Sequence, residues 1–270
     1  MRINDAYPKR IICLTEESTE TLYLLKEEKR IVGISKYTVR PKKAREEKKM
    51  VCTFINANLD KIIALKPDLV IGFSDIQADI AKSLIKKGIT VWINNYRSVE
   101  GIKIMINQLG LLVGKHLEAV NLVNKIEKNI KKIKAENTIR VNKPKIYFEE
   151  WFNPLITSIK WVSEIIEICG GINLYQSNNS KSLAVNRIIS NDQEIIKFNP
   201  DIILVSWCGK KFKKNKMINR KNWESITAIK NDNIYEIDSS IILQPGPAAL
   251  TDGLKIISHI INNWHQKSSK

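Results

Sequence analysis

Short apolar runs alternate with amphipathic stretches over most of the chain. Residues 10–14 (RIICL), 31–35 (IVGIS), 69–73 (LVIGF) and 90–93 (TVWI) have the length and β-branched content of buried strands. Between them lie helical patterns. Residues 17–25 read as a helix with Ser18, Thr19 and Glu20 as capping material. Asn58 is placed to cap a helix over 59–65, which Lys66-Pro67-Asp68 ends because proline cannot continue the hydrogen-bond ladder. A further helix over 79–87 closes on Gly88. This β-α-β-α order predicts a parallel sheet with helices on both faces.

Leu117, Val120, Val123, Ile126, Ile130 and Ile133 then recur at helical spacing with lysines between them, predicting one helix over 115–136. At 1.5 Å per residue it is ~33 Å long, more than an α/β crossover needs. The pattern then restarts, with strands at 145–148, 202–206 and 234–237 and helices at 162–169 (ended by Gly170-Gly171) and 194–198. A tight loop, 244–247 (QPGP), leads into a last helix at Ala248, with Pro247 suited to its first turn. The two halves echo each other. DKIIALKPDLVIGF (60–73) and QEIIKFNPDIILVSW (193–207) both read helix, Pro-Asp, apolar strand. The expected organisation is an α/β lobe over 1–112, a bridging helix over 113–138 and a second α/β lobe over 139–270.

Composition narrows the class. Hydrophobic residues make up 43% and charged residues 27% of the 270, which is globular, and no apolar run reaches the ~18 residues that span a bilayer. The opening MRINDAYPKRIICL has no long apolar core before a small-residue cleavage site, so the expected compartment is the cytoplasm, or the periplasm or cell surface if an export signal was removed. Net charge is +16, yet the lysines are spread over helix faces and one loop, KKFKKNK (210–216), and no RNA-binding or helix-turn-helix signature appears. Solvated faces are the plainer reading, attraction of an anion the other, and no nucleic-acid partner is expected. Cys13, Cys52, Cys169 and Cys208 lie far apart without a CxxC pair, reading as buried reduced thiols and not a metal site.

In parallel sheets ligands gather beyond the carboxyl ends of strands. The exits here carry Thr15-Glu16-Glu17, Lys36-Tyr37-Thr38, Ser74-Asp75, Asn94-Asn95-Tyr96-Arg97, Glu149-Glu150-Trp151-Phe152-Asn153, Trp207-Cys208-Gly209 and Asp238-Ser239-Ser240. Aromatic and small polar residues at so many exits suit a large, flat, partly apolar ligand. No glycine-rich phosphate loop is present. His116, His259 and His265 fall on helices, and there is no nucleophile elbow or zinc-protease motif, so no catalytic or metal-ligating residue is expected. Glu149 and Glu150 could act as acid and base, but neighbours on an extended segment point opposite ways.

Taken in order, the TEE loop, IVGIS-x-Y-T, NLDKIIALKPDLVIGF, YFEEW-x-x-P, EICGG and LQPGPAAL resemble the cobalamin-binding, periplasmic-binding-protein-like family, the class III substrate-binding proteins of ABC transporters, over roughly residues 7–260. The resemblance implies two Rossmann-like lobes bridged by one long α-helix, with ligand between them. It implies a non-enzymatic monomer that captures cobalamin or a related corrinoid, non-covalently, for uptake through an ABC permease or for delivery. Haem or a ferric siderophore is the alternative ligand, and an enzyme acting on a tetrapyrrole through Glu149 or Glu150 a more distant one. The family's cleft positions fall on Tyr37, Phe54, Phe73, Trp151, Trp207, Asp238, Ser239, Gln244 and Gly246. Glu17, Tyr96, Asn153 and Cys208 at the strand exits complete the candidate ligand set. A corrin has broad apolar faces and an amide rim, so aromatics for the faces and polar groups for the rim make chemical sense. Permease docking in the family uses one exposed acid per lobe. The first is Asp60, while the second aligns on Gln193, flanked by Asp192 and Glu194.

Overall fold

The computed structural model describes residues 6–175 and 183–268. The chain divides into two compact units, one built from residues 1–96, 100–125 and 244–247, the other from 97–99, 126–243 and 248–270.

The first unit contains β1 (Ile11–Cys13), α1 (Glu16–Leu24), β2 (Ile31–Ser35), α2 (Lys42–Glu47), β3 (Lys49–Cys52), α3 (Leu59–Ala64), β4 (Leu69–Phe73), α4 (Ala78–Ile85) and β5 (Val91–Asn94). Its sheet runs β3-β2-β1-β4-β5 with every pairing parallel. Ile11, Ile12, Leu14, Ile34, Ile62 and Val70 are fully buried around it. Next come α5 (Val99–Leu112) and α6 (His116–Thr138), and the division between the units falls within α6, after Lys125. At 23 residues α6 is close to the expected 115–136, whereas α5 and the α2–β3 pair have no counterpart in the pattern reading.

The second unit continues with β6 (Lys145–Phe152), β7 (Leu155–Thr157), α7 (Lys160–Ile168), β8 (Ile172–Asn173), α8 (Gln193–Phe198), β9 (Ile202–Val205), α9 (Lys214–Ile218), α10 (Thr227–Lys230), β10 (Ile234–Glu236), α11 (Ser239–Ile242) and α12 (Leu254–Ser268). The sheet runs β10-β9-β6-β7, with β8 on the start of β6. It is mixed rather than parallel, because β6 and β7 form an antiparallel hairpin through the cis Asn153-Pro154 turn. The expected 145–148 strand is therefore twice as long, and Glu149 and Glu150 lie inside it rather than beyond it. Residues 238–240, expected as a loop, open α11, where the Asp238 carboxylate accepts the Ser240 N–H at 2.8 Å.

The echo between the halves is structural. In both, a six-residue helix, a left-handed residue (Lys66, φ 46°; Asn199, φ 50°) and Pro-Asp lead into a buried strand. Each aspartate ties down the neighbouring first strand. Asp68 accepts the Lys9 and Arg10 N–H groups (2.6 and 2.9 Å), and Asp201 accepts that of Lys145 (2.8 Å). Asn58 caps α3 as expected, accepting the Lys61 N–H at 2.9 Å. In α1 the N-cap is Thr15, while the Ser18 and Thr19 hydroxyls donate back to its carbonyl instead of capping.

Candidate functional site

Two candidate residues of the first unit, Phe54 and Phe73, are joined by a residue the sequence did not single out. Gln77 is fully buried. Its amide donates to the carbonyls of Phe54 (2.9 Å) and Leu14 (3.4 Å), and its oxygen accepts the Phe73 N–H at 2.9 Å. One side chain thus joins the residues that follow β1 and β3 to the last residue of β4. Phe73 is buried and Phe54 half-buried. Tyr37 is 50% exposed, held by its N–H on the Ser35 hydroxyl at 3.2 Å. The half-buried Tyr96 donates its N–H to Asn94 at 3.1 Å, and its hydroxyl accepts from Gln108 at 3.1 Å. In the same unit a surface cavity of about 570 Å³ is lined by Ser74, Asp75, Ala78, Lys82, Ile93 and Asn95 among others. None of the candidate ligand residues lines it.

Glu17 sits in the first turn of α1 and is only 2% exposed. The Thr15 hydroxyl donates to one carboxyl oxygen at 2.5 Å, and the other oxygen has no hydrogen-bond partner. Burial pushes the carboxyl up to about 7, outweighing the lowering by Thr15 and by its own backbone N–H, with Glu20 adding a small rise. Burial likewise pushes the Cys13 thiol to about 12. Gly246 lies against Glu17, so closely that a Cβ added there would sit 2.5 Å from the Glu17 Cβ. Only glycine fits that approach. Gln244, half-buried, opens the same loop, its carbonyl accepting the Gly246 N–H at 2.8 Å.

In the second unit the aromatics form one run. Trp151 and Phe152 stand with ring centroids 5.3 Å apart, Phe152 and Trp207 4.6 Å, and Trp207 and Phe212 5.1 Å. Trp207 is 4% exposed, while Trp151, Phe152 and Phe212 are half-buried. Beneath them Glu149 is 0% exposed and fully engaged. Arg220 forks onto both its oxygens (2.6 and 3.0 Å), the Trp207 indole donates at 3.1 Å and the Tyr147 hydroxyl at 3.1 Å. Glu150 is forked by the buried Arg187. Both carboxylates are therefore held in ion pairs, which anchor the strand that presents the aromatics. Arg220 and Arg187 went unnoticed in the sequence, since nothing local marks a partner 71 or 37 residues away. Asn153 is exposed in the hairpin turn and its carbonyl accepts the Trp151 indole N–H at 3.1 Å. Cys208 is exposed, unlike the other three thiols, which corrects the expectation of four buried ones. Asp238 is exposed and Ser239 half-buried.

Trp161, Trp223 and Trp92 also have defined places. Trp161 is core, its indole donating to the Ile242 carbonyl at 2.8 Å. Trp223 is buried edge-on to Tyr147, and Trp92 is half-buried in β5. Of the docking candidates, Asp60 is exposed on the first turn of α3. Glu194 is exposed and accepts from the Tyr175 hydroxyl at 3.0 Å, whereas Asp192 is half-buried and accepts the Trp223 indole N–H at 3.0 Å. Among the described residues no three His, Cys, Asp or Glu side chains gather as a metal-binding set, and no helix is long and apolar enough to cross a membrane.

The sequence model of a family described as periplasmic binding protein matches residues 11–241. The chain belongs to that family. Its two αβ units are of the class III type. An uncharacterised ABC-transporter substrate-binding lipoprotein of Bacillus subtilis is 28% identical over 94% of the chain and 80% of the relative. A vitamin B12-binding protein of Vibrio parahaemolyticus is 23% identical over 93% of the chain and 89% of the relative. Among solved structures, a possible iron-binding, periplasmic solute-binding protein of Staphylococcus epidermidis superposes with a TM-score of 0.78, covering 94% of this chain and 98% of that one at 28% identity. Family membership makes this chain a substrate-binding protein.

Proposed function

We propose that the protein captures cobalamin or a related corrinoid, without chemical conversion, for handover to an ABC permease. The observation that carries this reading is the aromatic run Trp151–Phe152–Trp207–Phe212 on a rigid strand and the loop after β9. A broad apolar ring system has faces to lay on such a surface, and the polar residues at neighbouring strand ends supply partners for its amide rim, where an unmet hydrogen bond costs ~1–3 kcal/mol. The vitamin B12-binding relative supports the corrin over other flat ligands. The engagement of Glu149 and Glu150 by arginines supports binding over catalysis, since both carboxylates serve as ion-pair anchors of the strand. Tyr37, Phe54, Tyr96 and Glu17 are the first unit's proposed ligand contacts, and Asp60 and Glu194 its and the second unit's proposed docking acids.

Titration with cyanocobalamin, followed by tryptophan quenching, tests this. Saturable binding well below ~100 μM is expected of a capture protein, and Trp151→Ala should weaken it by ~2 kcal/mol. Absence of binding at that concentration removes the corrinoid. The second reading keeps the protein's role and replaces the ligand with haem or a ferric siderophore. It draws on the iron-binding description of the Staphylococcus structure, and a Soret shift on adding haemin would favour it.

A further inference from the structure

The loop after β9 and the start of α9 carry Lys210, Lys211, Lys213, Lys214 and Lys216. Two of them are placed differently from the rest. The Lys210 ammonium lies 5.1 Å from the ring centre of Phe152 and 5.6 Å from that of Trp151, and the Lys216 ammonium lies 5.0 Å from Phe152. Lys214 is paired with Asp232, but no described carboxylate pairs with Lys210 or Lys216. The acids nearby in the bonding network are committed elsewhere. Glu149 belongs to Arg220, and Glu236 accepts the Phe212 N–H at 3.1 Å.

Two cations thus share one neutral ring without a counter-charge. Each ring contact is weak at an exposed site, and two like charges around one ring repel. An anion arriving at the edge of the aromatic surface relieves that repulsion and gains charge-assisted hydrogen bonds, which are the stronger kind. A flat ligand that takes the place of these ammonium groups over Trp151 and Phe152 would move them to its rim, which their long side chains can reach.

We propose that Lys210 and Lys216, on the Trp151–Phe152 platform, are specificity residues that select a flat ligand with anionic groups on its rim. The inference rests on the reading of this protein as a binder of such ligands. Two sources share the chemistry: the phosphodiester of a complete cobalamin and the carboxylates of a porphyrin.

Paired probes separate them. Cyanocobalamin is compared with dicyanocobinamide, which lacks the phosphodiester, and haemin with its dimethyl ester. Each is titrated into the full chain, into Lys210→Gln/Lys216→Gln and into Lys211→Gln/Lys213→Gln, which removes the same charge from the same loop. The expected result is a preference of about tenfold for the anionic member of one pair. That preference is lost in Lys210→Gln/Lys216→Gln, kept in the control variant, and reduced by high salt. Equal affinity within both pairs, an undiminished preference in Lys210→Gln/Lys216→Gln, an equal loss in the control, or no binding by any probe overturns it. The two proposals fail separately. Corrinoids binding alike with or without the phosphodiester, and no haemin preference, sink the lysine pair and leave corrinoid capture standing. A lysine-dependent preference within the haemin pair alone, with no corrinoid bound, does the reverse.

Discussion

Glu17, in the helix that follows the first strand of its unit, and Glu149, within the first strand of the other, are both buried carboxylates, yet they are accommodated in opposite ways. Glu149 has a forked arginine, an indole and a phenol around it. Glu17 has one hydroxyl, its own backbone N–H and an oxygen with no partner. Full engagement makes the second unit's acid a fixed anchor for an aromatic strand. Partial engagement leaves the first unit's acid poised, taking up its proton near neutral pH instead of deep in the acid range. Burial alone therefore says little about an acid's role, and its partners decide whether it is scaffold or responsive group.

Removing Arg220 should produce the largest effect. Arg220→Met leaves the Glu149 charge buried without compensation, at a cost of ~3–5 kcal/mol in urea unfolding. Combining it with Glu149→Gln should recover much of that loss, because the unpaired charge is gone, and a double variant as unstable as the single one would break the contrast.

For Glu17 the sign follows from linkage. Its folded-state value, about 7, lies above the ordinary 4.5, so the folded chain holds more protons between those limits and stability falls as pH rises through the window. Glu17→Gln should therefore gain up to ~3 kcal/mol over the native protein above neutral pH and nothing near pH ~4, read as melting temperature against pH. A constant difference across pH would show that Glu17 does not titrate there.

A smaller effect separates the repeated helices. Asn58 caps α3 with its side chain, while Asp192 at the start of α8 makes no such cap and instead holds the Trp223 indole. Asn58→Ala should cost ~1 kcal/mol. Asp192→Asn, which keeps an acceptor for Trp223, should cost less.

The same comparison explains what was legible in the sequence. Helix-Pro-Asp-strand units, the Asn58 cap and the long helix could be read because their causes are local: ring geometry, a side-chain oxygen three residues before the N–H it accepts, a periodic stripe. The extent of β6 could not, because two consecutive glutamates look like the end of an apolar strand until Arg220 and Arg187 are known to meet them. Helix α5 has a buried stripe of Val99, Ile102, Met105, Ile106 and Leu109, but in the sequence VEGIKIMINQLGLL the apolar residues off that stripe, Ile104 and Leu111, and two glycines obscure it. At the candidate site, the aromatic positions at the end of β6 and after β9 could be anticipated, but the contact between their rings and the role of Gln77 could not, since both depend on segments far apart in sequence.

The most direct test of the account is a competition observed by native mass spectrometry, with the purified chain offered cyanocobalamin and haemin together at equal concentration. Retention of one cyanocobalamin per chain is the predicted result. A chain that carries haemin, or emerges bare, contradicts it.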